Sequence, residues 1–233
     1  CRAHGGGCIY GIEAVTITGS FTARNCHALI QGAAISTGAM KVSGHLEIQN
    51  CHAKWGGGAV NASSLLLENA TAHFQNTSAL RGGAITAIFV VQQGGEFWIT
   101  NSRSKNTGGA IAAKIFFQSS FGYASFTSCT SGDGGGALEL YSVESWGTMI
   151  FENCSATTSG GAILADPVVM MGRTSFNRCH SENVGGAILA RNMIQGGHLH
   201  AANCRAGVGG AVYINERQER PLLTFNRKWR SKA

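Results

Sequence analysis

The tetrapeptide Gly-Gly-Ala-[Ile/Val/Leu] begins at Gly57, Gly82, Gly108, Gly135, Gly160, Gly185 and Gly209, with degenerate copies at Gly6 (GGCI) and Gly32 (GAAI). Nine copies spaced 24 to 27 residues apart make the chain a repetition of one short unit. A fixed period of about 20–50 residues marks a solenoid, in which each unit buries its apolar face only by stacking on its neighbours.

A second motif leads the Ala position of each copy by seven or eight residues and occupies Cys1, Cys26, Cys51, Thr77, Ser102, Cys129, Cys154, Cys179 and Cys204. Three residues before this slot stand Ile48, Phe74, Ile99, Phe126, Phe151 and Phe176, and five before it Phe21, Leu46, Phe97, Met149 and Leu199. Spacing by two is the period of a strand with one buried face. After the glycines, Ile9, Ile35, Val60, Ile85, Ile111, Leu138, Ile163, Ile188 and Val212 form an inward row. The next row is mixed and reads as outward: Tyr10, Ser36, Asn61, Thr86, Ala112, Glu139, Leu164, Leu189 and Tyr213. A third apolar stretch fills the middle of each unit, as in Leu65–Leu67, Phe89–Val91, Ile115–Phe117 and Val168–Met171.

Three short strands per ~25 residues predict an all-β fold, a right-handed parallel β-helix of about nine coils. Helical repeats are excluded because paired glycines would cost a helix interior about 1 kcal/mol each relative to alanine. Leucine-rich repeats are excluded because no Leu-x-x-Leu-x-Leu frame recurs. Glycine suits the sharp corners, where it accepts positive φ and close backbone approach. Stacking at ~4.8 Å per coil gives a rod on the order of 40 Å long. With 33 Gly but only 2 Pro, and no triplet period, the chain is not collagen-like.

Residues 1–215 are expected to form the β-helix domain, and 216–233 a basic tail or an incomplete last coil. The net charge is +6, of which the stretch from Tyr213 to Ala233 supplies +4, with six Lys/Arg against two Glu. The body is therefore near neutral, and no specific nucleic-acid partner is expected. Arg217, Arg220, Arg227, Lys228, Trp229, Arg230 and Lys232 are read as a charged end that blocks edge pairing, or as a docking segment for an acidic protein or membrane surface. The start at Cys1, in mid-repeat, suggests a piece of a longer protein or larger assembly.

With GGA[ILV] and a Phe-led strand recurring along nearly its whole length, the chain resembles the repeat region of the chlamydial polymorphic outer membrane proteins. Phe-x-x-Cys, as in FTSC, FENC and FNRC, largely replaces that family's FxxN, and Asn25, Asn50, Asn76, Asn153 and Asn203 precede the Cys slot. The resemblance implies a β-helical passenger exported by an autotransporter route to the cell surface, outer membrane or extracellular space, acting in adhesion to a protein or cell-surface ligand.

Catalytic chemistry finds little support. The chain holds two Asp, Asp133 and Asp166, at different places in the coil, and Glu139 and Glu144 have no acidic partners in register. A pectinase-like β-helix needs grouped carboxylates, so the expectation is a non-enzymatic binding protein, with a structural scaffold subunit as the alternative. A flat Thr row for ice binding is missing. The cysteines, one per coil, lack the paired spacing of zinc sites, and no cofactor is expected. Cys1, Cys26, Cys51, Cys129, Cys154, Cys179 and Cys204 read as a buried thiol stack, or as disulfides in the pairs Cys1–Cys26, Cys129–Cys154 and Cys179–Cys204. Stacked His27 and His52, and His198 and His200, are read as solvated surface groups. Sequons at Asn61, Asn69, Asn76 and Asn153 would matter only in a eukaryotic secretory pathway.

Overall fold

The structure, a computed structural model, describes residues 1–215. The chain winds into a parallel β-helix of three sheets with eight, twelve and eight strands, and no helix occurs among the described residues. Every pairing joins one coil to the next in parallel register, so equivalent positions of the repeat stack into columns: Ile9 on Ile35, Ile35 on Val60 and Ile111 on Leu138.

The three sheets divide the coil differently from the sequence pattern. The strand after the glycines and the middle apolar stretch merge into one long bent strand, as in Ile35–Val42, Val60–Leu67, Ile111–Gln118 and Leu138–Ser145. The Phe-led strands, such as Gly122–Thr127, Thr148–Glu152 and Arg173–Asn177, form a second sheet. The third sheet consists of two-residue strands just after the Cys slot, among them His27–Ala28, His52–Ala53 and His180–Ser181.

Two of the three corners of each coil keep one backbone conformation throughout. At the first, the residue before the Cys slot is left-handed: Asn25, Asn50, Asn76, Asn101, Asn153 and Asn203, with Ser128 and Arg178 in the remaining coils, all have φ between 53° and 56°. Asn tolerates this conformation better than other side chains. It also links coils, since Asn76 Nδ2 donates to Asn50 Oδ1 at 3.0 Å. At the second corner, the two glycines do separate jobs. The first is left-handed, as at Gly135 (φ 63°). The second has ordinary φ but no room for a side chain, because a Cβ at Gly136 would collide with the carbonyl oxygen of Gly161 in the next coil.

The interior is layered. Phe126, Phe151 and Phe176 stack face to face at centroid separations of 5.0 and 4.9 Å, while Phe74 and Phe97 meet edge to face at 5.9 Å. In the Cys column, Thr77 and Ser102 replace thiols and satisfy each other through a 2.7 Å hydroxyl hydrogen bond. One buried polar ladder lies at the end of the long strands, where Gln92, Gln118 and Ser145 point inward in register. Gln118 Nε2 donates to Gln92 Oε1 (3.1 Å) and to the Thr148 carbonyl (3.1 Å), and Ser145 Oγ donates to Gln118 Oε1 (2.6 Å). Each group has partners, which makes such a ladder tolerable in a core.

Candidate binding site

The bend in the long sheet creates the surface feature of most interest. After the second inward residue of each long strand, two consecutive residues face out, as at Lys114 and Ile115 or Tyr141 and Ser142, before the alternation resumes at Phe116 or Val143. Each strand is thereby creased, and the crease runs along the rod axis from coil to coil. It forms a groove of about 840 Å³ whose lining includes Ala112, Leu164 and Leu189 on one side and Lys114, Tyr141 and Asp166 on the other.

Charge in the groove is arranged in pairs. Arg81 reaches Glu139 at 3.5 Å, spanning an intervening coil in which small Ala112 stands in register between Thr86 and Glu139. Asp166 accepts hydrogen bonds from the backbone N–H (2.9 Å) and Nδ2 (3.1 Å) of Asn192 and lies 3.9 Å from Arg191 Nε. The fold thus brings together Glu139 and Asp166, which the repeat pattern had kept apart. Each carboxylate has its own cationic partner.

Beside the groove, the outer face of the bent arm is mostly apolar. Leu66, Val91, Phe117, Glu144, Val169 and Ile194 form one outward row in continuous register, flanked by Phe89 and Ile115, which are 45% and 38% exposed. The middle apolar stretches of the repeat therefore do not fill the core alone. Leu65 and Leu67 point in, and Leu66 between them points out. The mixed row after the glycines is not uniformly outward either: Ser36 and Ala112 are buried, and Thr86 Oγ1 turns back to accept from Gly57 N (2.8 Å) and donate to the Arg81 carbonyl (3.1 Å).

No protein-family model, curated protein or solved structure matches this chain. The site is defined by its own geometry.

The remaining candidates fall as follows. Arg217, Arg220, Arg227, Lys228, Trp229, Arg230 and Lys232 lie outside the described residues. His27 and His52 stack edge to face at 5.4 Å, and His52 Nδ1 lies 2.8 Å from Ser78 Oγ. Partial burial, then the charges of His27 and Lys105, hold the His52 imidazole below its usual range. His198 and His200 share an exposed face.

The thiols of Cys26, Cys51, Cys129, Cys154 and Cys179 are buried and unpaired, and Cys204 is half-buried and also free. Cys1 pairs with Cys8, the one cysteine outside the column, and not with Cys26. Cys129, Cys154, Cys179 and Cys204 are free rather than joined as Cys129–Cys154 and Cys179–Cys204, and their thiols face backbone carbonyls, as Cys154 does Phe126 O at 3.4 Å.

Burial pushes Cys51 up to about 12 and raises Cys154 well above the ordinary thiol value. Cys179 reaches about 12, mainly through its hydrogen bond with Cys154. Since only the thiolate reacts, Cys51 and Cys179 should be modified by a disulfide reagent at pH 8 on the order of 1000-fold more slowly than an exposed thiol of pKa ~8.5, and Cys154, raised in the same direction, should also react slowly. Stopped-flow measurement in native buffer and in guanidinium checks this, and fast reaction of the folded protein contradicts it. The linkage sign follows from the raised values. The folded state holds these protons more tightly, so the stabilisation is intact below the ordinary thiol value and is lost as pH rises through the folded values, about 12 at Cys51 and Cys179.

Proposed function

We propose that this protein is a non-enzymatic β-helix that binds a protein ligand along the creased face of its long sheet. The observation that carries this reading is the outward apolar row from Leu66 to Ile194 beside a groove with an apolar floor and paired charges. Exposed apolar patches rimmed by polar groups mark interaction surfaces, and an apolar centre with charged edges is the anatomy of protein interfaces. A sugar-processing groove would place unpaired carboxylates together, whereas Glu139 and Asp166 are each tied to an arginine. The resemblance of the GGA[ILV] repeats to surface-displayed adhesin passengers supports adhesion as the biological setting and the cell surface as the place.

Binding of the fluorescently labelled protein to cultured cells, with and without prior trypsin treatment of the cell surface, tests the proposal. Saturable binding that trypsin abolishes is expected. Phe117→Lys and Ile194→Lys place charges on the exposed row without touching the core, and together they should weaken binding by about 30-fold, equivalent to losing one hot spot of ~2 kcal/mol. Binding that survives both substitutions, or no saturable binding at all, refutes this reading.

A further inference from the structure

The corner of the first coil holds one sulfur more than the corners above it. In eight of nine repeats the slot after the two glycines is Ala, and in the first it is Cys8. Where this residue is Ala34, Ala59 or Ala84, it is a buried methyl group. Cys8 instead brings its Sγ to 2.9 Å from Cys26 Sγ and into a bond with Cys1. The three sulfurs, from an exposed, a half-buried and a buried residue, all lie within 4.8 Å of one another. Stacking fixes their positions, because Cys8 N donates to Ala34 O at 2.9 Å and His27 N to Cys1 O at 2.7 Å.

We propose that, when the Cys1–Cys8 disulfide is reduced, Cys1, Cys8 and Cys26 bind a single copper(I) ion through three thiolates. The donor set selects the metal. Thiolates are soft ligands that favour copper(I) and zinc, and closed structural zinc sites almost always use four protein ligands. Among the described residues no fourth Cys, His, Asp or Glu ligand atom joins this group, which leaves a three-coordinate site for a d¹⁰ monovalent ion. A metal–sulfur bond of ~2.3 Å separates the sulfurs of a trigonal site by roughly 4 Å, so Cys8 Sγ, bonded to Cys1 and 2.9 Å from Cys26 Sγ, moves outward by about 1 Å as the metal enters. Arg2 and His27 stand in register, each next to a sulfur-bearing residue of the group, Cys1 and Cys26.

The chemistry balances in two steps. A small-molecule thiol reductant gives two electrons to the Cys1–Cys8 bond and becomes a disulfide, leaving two thiols. Copper(I) then displaces three protons to solvent, and the site changes from neutral to a net charge of −2. The oxidised protein, with only the Cys26 thiol free in this corner, lacks the donor set.

Anaerobic titration with copper(I) acetonitrile, in competition with bathocuproine disulfonate, tests the site on protein that has been reduced and freed of reductant. One equivalent should bind, with thiolate-to-copper charge-transfer absorption in the near ultraviolet. Cys8→Ala restores the residue of the other coils, so its circular dichroism should match the parent. Its affinity should fall by more than about 100-fold, because losing a ligand outweighs the 10–100-fold of losing an outer-shell partner. Cys51→Ala should bind like the parent. The proposal is overturned if Cys8→Ala binds as tightly as the parent, which would place copper in the buried column, if excess zinc(II) displaces copper(I), or if the unreduced protein binds equally well.

Discussion

Replacing Phe151 with alanine is expected to lower the unfolding free energy by about 3–5 kcal/mol. Phe151 is fully buried and is the middle ring of the Phe126–Phe151–Phe176 stack, so truncation leaves a cavity and removes two ring–ring contacts. Each aromatic pair contributes about 0.5–1.5 kcal/mol beyond its area. The neighbouring coils cannot collapse into the gap, because their backbones are tied above and below by the ladders joining Phe126, Phe151 and Phe176. In a solenoid, stability is a sum of coil and interface terms, so a weak interface in mid-rod should also divide the unfolding transition. Urea titration followed by circular dichroism, and by the fluorescence of Trp55, Trp98 and Trp146 in different coils, reads both effects. A shift below about 1 kcal/mol would mean that the rings do not form a packed column.

The second large effect is expected at the second glycine of each corner. Gly136→Ala should cost about 3 kcal/mol or more, since the new methyl meets the Gly161 carbonyl and the Ser155 backbone. Neither can rotate away as a side chain would, and overpacking against rigid neighbours is destabilising. Gly19→Ala is the matched control, because a Cβ there meets nothing within 4 Å. It should be neutral or slightly stabilising through the unfolded chain. Equal denaturation midpoints for the two variants would remove close approach as the reason for the glycine pair.

Much of this fold was legible in the chain because a solenoid writes its core as columns. The row from Ile9 to Val212, the Phe strand and the Cys slot each recur at fixed offsets, and they stack as the spacing demanded. The features that escaped are those that break the two-residue alternation or contradict residue type. The crease adds an outward residue in mid-strand, so Leu66, Val91 and Phe117 looked like core when they are surface. Gln92 and Gln118 are polar by type, and they are buried because each finds partners in the adjacent coil. The Asn before the Cys slot was visible as a pattern, and its cause is backbone conformation. Cys8 was hidden among the Ala copies, and its meeting with Cys26 depends on a corner geometry that linear spacing does not encode.

The crease runs along the axis of stacking, which ties the length of the proposed binding face to the number of coils. Duplicating one interior unit of about 25 residues would add a rung of ~4.8 Å to the floor of the groove and to the apolar row beside it. The new rung would meet neighbours of the same shape, so its insertion would cost little in packing. Reach and composition of the surface can therefore change by unequal recombination of a short tandem segment, and an ancestral rod could gain or drop footholds for a ligand without redesigning its interior.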